Sequence, residues 1–328
     1  MEFLSLGGIN EHGRNCFLLK GENSILLDCG LSEEGEPPFF SRCNVKKISA
    51  LFLTHSHDDH VGALKQLFSL GFQGMVYLSK PTYDARKIKD FPHVFLVPGE
   101  ERKLPFLSLL PLRSGHCFGS LSFQISREGK KILYTGDYLE DSIFSVDPIR
   151  GKEADLAIVD GAYKEAKSRE ESKKELLSLI KEKEKVLLPL PKNGRSREVI
   201  SLLEKEGIDY DIASPYFREE EEVYLKHRVE RKPKKGASVL LLHDPQAEKE
   251  ETKKAIESHT DYALIFTGTI DKGSQAEQYR KKRGDTFFVR IPVHQTIRQA
   301  KKLIEENQFK NAIIFHNKET IEKTSLVF

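Results

Sequence analysis

The run ALFLTHSHDDHVGAL, residues 50–64, constrains the fold more than any other stretch. Leu51, Phe52 and Leu53 form a continuous apolar run of the kind found in a strand buried on both faces. His55, His57, Asp58, Asp59 and His60 follow it directly. Left without partners in an interior, such groups would cost roughly 2–7 kcal/mol each. The strand must therefore hand them to a common partner where it ends, and a metal ion is the first candidate.

The spacing suits two ions. His55 and His57 lie two apart in an extended segment, so both side chains can point the same way and pinch one ion. Asp59 and His60, after the chain turns, can face a second. Histidine nitrogen and carboxylate oxygen suit Zn2+, with Mn2+ or iron as alternatives. The cluster holds too few ligands for two closed sites, so it calls for distant ligands and leaves coordination positions open. Open positions mean catalysis. Two ions about 3.5–4 Å apart can stabilise the attacking and leaving oxygens of a displacement. A lone histidine on an apolar face is usually an ordinary core residue, but three histidines and an aspartate at one strand exit need another explanation.

The same placement recurs along the chain. His116 follows RSG, Asp137 follows YTG, Asp160 follows AIV, His294 follows RIPV and His316 follows AIIF. Nearly every such His or Asp stands at the carboxyl end of an apolar run. That edge of a sheet is where α/β proteins build their sites, so one shared site is expected.

Up to about residue 161 the chain reads as short strands and turns. The exception is VGALKQLFSLGF, whose spacing predicts a helix stopped by Gly71. Beyond it, helical patterns such as SREESKKELLSLIKEKE alternate with apolar runs such as KVLLPL and DYALIFTG, as in a parallel sheet covered by helices. TFFVRIPVH reads as a strand, TIRQAKKLIEENQ as a helix and KNAIIFH as a strand. At 328 residues, one large or two interleaved domains are expected. Lys+Arg 52 against Asp+Glu 50 leaves +2, which excludes a generally basic nucleic-acid binder; basic surface must be local. Residues 227–236 and 279–285 are the densest basic runs, able to meet phosphates or simply to be solvated. No stretch approaches the roughly 20 apolar residues of a membrane span, and a cytoplasmic protein without membrane contact is expected. Cys16, Cys29, Cys43 and Cys117 form no C-x-x-C, so reduced thiols are expected and a zinc ribbon is not.

THSHDDHVGAL resembles the H-x-H-x-D-H signature of metallo-β-lactamase-fold hydrolases, an αββα sandwich. SGHCFGS and ILYTGD are similar to that family's next motifs. GGINEHGRNCFLL, LAIVDGAYK, PLPKNGRSREVISLL, RIPVHQTIRQAKKLI and NAIIFHN resemble the β-CASP branch, which contains ribonuclease J and the cleavage-and-polyadenylation endonuclease. The resemblance implies that His55, His57 and His116 hold one ion, that Asp59, His60 and His316 hold the other, and that Asp137 bridges them. It makes His294 a helper of the leaving group and Asp160 the acid that orients a neighbour; with Asp59, these are the residues on which catalysis would turn. It also implies an α/β metallo-β-lactamase domain over 1–161 and 291–328, with an inserted α/β β-CASP-like domain over 162–290. Here His294 is followed by Gln295 and Thr296 where the family carries an acid, and His316 by Asn317 where it carries glycine.

The expected function is a two-metal phosphodiester hydrolase, a ribonuclease acting on single-stranded RNA, with two Zn2+ or Mn2+ ions. Arg195 and Arg197 at a helix start, with Lys234 and Lys235 in the basic run, are the expected substrate contacts. The alternatives are hydrolysis of DNA or of a small ester or lactone, and a non-catalytic scaffold of the same fold. Placement of His12, in the first glycine-rich motif, near the site is a further expectation.

Overall fold

The computed structural model describes residues 1–86, 91–191, 194–213 and 233–328. The chain forms two compact units: Met1–Glu165 with His294–Phe328, and Ala166–Val293.

In the first unit, β1 (Glu2–Gly7), β2 (Cys16–Lys20), β3 (Ser24–Leu27), β4 (Ile48–Phe52), β5 (Met75–Leu78) and β6 (His93–Phe95) lie side by side in chain order. The first three are antiparallel, and β3 to β6 run parallel. A second sheet begins with the antiparallel strands β7 (Arg102–Leu104), β8 (Leu107–Arg113), β9 (Leu121–Arg127) and β10 (Lys130–Tyr134). After the two-residue β11 (Glu153–Ala154), β12 (Leu156–Asp160) joins β10 in parallel.

The second unit is one parallel sheet of β13 (Val186–Leu190), β14 (Tyr210–Ile212), β15 (Val239–His243), β16 (Ala263–Phe266) and β17 (Thr286–Phe288), in the order β14-β15-β13-β16-β17. Pro189 sits in a central strand without a donor N–H, which is tolerable because the ladder to β16 is recorded only at Val186 and Leu187. The chain then returns to the first unit. There β18 (Gln308–Phe309) pairs with β11, β19 (Ala312–Phe315) pairs in parallel with β12, and β20 (Ser325–Val327) pairs antiparallel with β1.

Strict alternation along these strands makes four layers. Phe17, Leu19, Ile25, Leu27 and Phe52 of the first sheet meet Phe123, Ile125, Tyr134, Ile158 and Phe315 of the second in one buried cluster. Leu18, Leu26 and Leu51 point the other way, beneath the short helices Asp58–Val61 and Leu64–Ser69. Leu133, Val159 and Ile314 likewise face away from the sandwich and pack with Ala300 and Leu303 of the helix Ile297–Glu305. That helix opens on a capping box between Thr296 and Gln299.

Two sequence expectations are corrected. The helix expected over residues 61–72 forms over Leu64–Ser69, and a separate helical turn, Asp58–Val61, lies within the histidine cluster before it. The carbonyls of Asp59 and His60 accept from the backbone N–H groups of Asn15 and Cys29, at 2.9 and 2.7 Å, so the turn is tied to neighbouring strand exits. The run TFFVRIPVH is regular strand only over Thr286–Phe288. Val289 and Ile291 still donate to Phe266 and Thr267, but His294 is delivered by irregular chain.

The inter-sheet cluster should carry the first unit's stability. Phe123, fully buried, is expected to cost about 3–5 kcal/mol when changed to Ala, through lost burial and the cavity left behind. Ile321→Ala, at a side chain 98% exposed, is expected to stay within about 0.5 kcal/mol. Denaturant unfolding followed by tryptophan-independent far-UV dichroism compares them; equal effects would contradict the layer assignment.

Candidate metal centre

Five strand exits of the first unit supply the cluster. Thr54 and His55 follow β4, and the chain then turns through His57, Asp59 and His60. His116 follows β8, Asp137 follows β10, Asp160 ends β12, and His316 follows β19. The exits approach too closely for side chains in places. A Cβ on Gly30 would lie 1.6 Å from the carbonyl oxygen of Asp59, so only glycine lets the loop after β3 lie against the histidine turn. His316 sits at φ 69, a left-handed conformation that a bulky residue seldom adopts and that the surrounding bonds must hold.

The donors fall into groups around one carboxylate. His57 Nδ1 lies 3.0 Å from both His55 Nε2 and His116 Nε2, and each of those nitrogens lies 3.4 Å from Asp137 Oδ2. On the other side, Asp137 Oδ1 is 3.1 Å from His60 Nε2 and 3.2 Å from His316 Nδ1. Asp59 Oδ2 is 3.2 Å from His316 Nε2 and 3.6 Å from His60 Nε2. In each group the ligand atoms lie within 4.8 Å of one another. A further group joins Asp137, Asp160, His294 and His316; His294 Nδ1 is 3.3 Å from Asp160 Oδ2 and 3.6 Å from Asp137 Oδ2.

These residues fit a pair of divalent cations. His55, His60, His116 and Asp137 are at most 1% exposed, and among the described residues neither oxygen of Asp137 receives a directed hydrogen bond. A buried carboxylate ringed by imidazole nitrogens and short of hydrogen bonds is what a cation on either side would satisfy. The donor set is nitrogen and oxygen with no thiolate, suited to zinc or manganese. Cys117, next to His116, is buried, and that burial, with Asp137 adding to it, pushes its thiol up and keeps it protonated.

The charges follow from the packing. Burial lowers His55 far below the ordinary histidine value and brings His57 to about 4, so both are neutral. Burial acts the same way on His60, His316 and His294, but the carboxylates outweigh it, Asp137 first. His60 and His316 are raised well above the ordinary value, and His294 to about 9. Burial alone would raise Asp137, yet the histidines around it, His60 foremost, hold it well below the usual carboxylate range. Protons on histidines thus balance the carboxylates where cations otherwise would.

Every His or Asp that the sequence assigned to the metals lies in this cluster, with His294 and Asp160 beside it. His12 is half-buried with its ring 6.0 Å from that of His316, so it does reach the rim. Arg195, Arg197, Lys234 and Lys235 belong to the second unit. Arg195 donates to the carbonyl of Ile291, Arg197 is 4% exposed, Lys234 pairs with Asp209 at 2.6 Å, and Lys235 is exposed. Residues 227–232 of the basic run lie outside the described residues. Sequence reasoning passed over Asn15, Asp28, Thr54 and Tyr134, which line the inner side of the cluster. Asp28 follows the apolar run ILL and carried the same positional signal as the others.

Comparison with known proteins agrees with this geometry. The family model described as metallo-beta-lactamase superfamily matches residues 9–191, more than half of the chain. The chain belongs to the metallo-beta-lactamase superfamily. Relatives include a transcription termination factor FttA of Methanosarcina mazei, 28% identical, matching 61% of this chain and 39% of its own length. Endoribonuclease ysh1 of Schizosaccharomyces pombe is 27% identical over 62% of this chain and 32% of its own. Ribonuclease TTHA0252 of Thermus thermophilus is 31% identical over 63% and 56%. The β-CASP resemblance read from the motifs is borne out by these relatives. The chain spans only about a third to just over half of their lengths. A crystal structure from Enterococcus faecalis, described as a protein of unknown function, matches 100% of this metallo-beta-lactamase chain and 99% of its own, with TM-score 0.67 and 13% identity; it supports the fold alone.

Cation binding must displace the protons on His60 and His316. Below their raised pKa values the sites hold protons, so affinity is expected to rise with pH, about tenfold per unit for each proton displaced. Zinc titration of metal-stripped protein against a chromophoric chelator, at several pH values from about 6 to 9, measures this. An affinity independent of pH would contradict the electrostatic assignment.

Proposed function

We propose that the chain is a two-metal phosphodiester hydrolase acting on single-stranded RNA, with zinc as its resident ion. The observation that carries this reading is the carboxylate of Asp137, each of whose oxygens faces its own set of histidines. The names of relatives, two of them ribonucleases, support RNA over DNA or a small ester. A complete set of His and Asp ligands favours an enzyme over a scaffold. On this reading His55, His57 and His116 would hold one ion, Asp59, His60 and His316 the other, and Asp137 would serve both. When bound, the two ions supply Lewis acidity that makes water a nucleophile and stabilises charge on the phosphoryl oxygens.

The remaining steps belong to the chain's own groups. Asp160 is fixed by the backbone N–H groups of Tyr138 and Ala162, both at 3.1 Å, and its Oδ2 faces His294 Nδ1. With Nδ1 turned to the carboxylates, the proton that His294 can give up is on Nε2. Burial lowers His294 but the carboxylates, Asp137 before Asp160, raise it in the metal-free chain, and a proton held on Nε2 would be there for the leaving oxygen. The ring of Tyr163, edge-on at 5.2 Å, limits its tilt. The second unit is proposed to be the inserted β-CASP-like domain, with Arg195, Lys234 and Lys235 as RNA contacts; Arg197, expected among them from the sequence, is buried and is left out. Four cysteines without a disulfide suit a cytoplasmic protein.

The test is a cleavage assay on end-labelled single-stranded RNA and DNA of one sequence, with zinc or manganese. RNA cleavage that Asp59→Ala abolishes is expected; cleavage of DNA alone, or of neither by protein holding both ions, would overturn the ribonuclease reading. His294→Ala is expected to retain two ions by metal analysis while turnover falls by about 100-fold or more. Unchanged turnover would remove it from the proton transfer.

A further inference from the structure

We infer that Asp28 and Thr54 are positioning residues that together set which nitrogen His55 and His60 turn toward the metals, one histidine in each half of the cluster. The inference rests on the two-ion reading above. Asp28 is fully buried, and its carboxylate faces four donors. The backbone N–H of Thr54 donates to Oδ1 at 2.8 Å. Three groups converge on Oδ2: the Thr54 hydroxyl at 2.8 Å, His60 Nδ1 at 2.7 Å and the Tyr134 hydroxyl at 2.6 Å.

All four groups around Asp28 can donate, and its oxygens are the acceptors they share. Once a cation displaces the second proton of His60, the hydrogen that stays is the one on Nδ1 against Asp28, which leaves Nε2 bare for the ion. The amide nitrogen of Asn15 lies 2.8 Å from that same Nε2. Thr54 has one hydrogen and gives it to Asp28, so toward His55 Nδ1, 3.0 Å away, its oxygen can only accept. His55 therefore also carries Nδ1–H and leaves Nε2 bare.

The two bare nitrogens are the ones that face opposite oxygens of Asp137, at 3.4 Å for His55 and 3.1 Å for His60. A single carboxylate thus orients a ligand in both halves, directly for His60 and through one hydroxyl for His55. Without these partners each ring could place an N–H where a lone pair is needed. Tyr134 adds a third donor that pins Oδ2. Its ring stays packed between Phe17 and Phe315, each 5.5 Å away, whether or not the hydroxyl is present.

The division of labour can be measured by zinc binding, independently of activity. The experiment uses metal-stripped full chain, chelator competition, and two backgrounds that leave one ion each. In Asp59→Ala the remaining ion is on the His55 side, and adding Thr54→Val is expected to weaken it by about 10–100-fold. In His57→Ala the remaining ion is on the His60 side, where Tyr134→Phe is expected to weaken it, and Thr54→Val, whose hydroxyl lies 3.3 Å from His60 Nδ1 but is not its main partner, is expected to weaken it less than it weakens the ion in Asp59→Ala. Thr54→Ser, which restores the hydroxyl, should restore the affinity; a role confined to packing would not need it. Unchanged affinity in the Asp59→Ala background, or no rescue by serine, would overturn the inference. Wild-type protein binding fewer than two ions would instead overturn the two-ion reading itself.

Discussion

A buried carboxylate that receives no directed hydrogen bond among the described residues dictates the rest of this structure. Asp137 stands at 1% exposure, where an unbalanced charge would be strongly destabilising. Its answer is positional. Histidines from three strand exits of the two sheets face one oxygen or the other, and the cluster is electrically complete only with protons or cations between them. The choice between protons and cations is the link from fold to function. Protons give an inert polar core, and cations give a Lewis-acid centre with Asp59 and His294 at its more exposed side.

The sandwich makes this possible because its sheets align the ends of β3, β4, β10, β12 and β19. Each strand puts alternate residues into the shared core, and the next residues past the ladder are polar. Phe52 and Tyr134 lie inside the sandwich, and Thr54, His55 and Asp137 follow within a few residues. The hydrophobic pattern therefore fixes where the chemistry emerges. The close approach of Gly30 to Asp59 and the left-handed backbone at His316 are local strains that the two-sheet frame holds in place.

Much of this was legible in the sequence, for a local reason. His55, His57, Asp59 and His60 are packed into six residues, and the distant members each end an apolar run, so period and punctuation marked them. What was not legible depends on three-dimensional hydrogen bonding. Thr54 is an unremarked hydroxyl in sequence, and its value lies in a carboxylate 26 residues away. Tyr134 reads as one more apolar strand residue until its hydroxyl is seen to meet Asp28 across 106 residues. The separate helical turn Asp58–Val61, ahead of the expected helix, was hidden for the same cause. Its carbonyls bond to Asn15 and Cys29, which no helical periodicity could reveal. The regular strand expected to carry His294 ends early, because the chain there leaves β17 before re-entering the first unit.

The most direct measurement is an anomalous-difference map from crystals of the zinc-loaded protein, recorded on both sides of the zinc edge. The account expects two peaks about 3.5–4 Å apart flanking Asp137, one against His55, His57 and His116 and the other against Asp59, His60 and His316. A single peak, or a peak held by Asp160 and His294 in place of either, would contradict it.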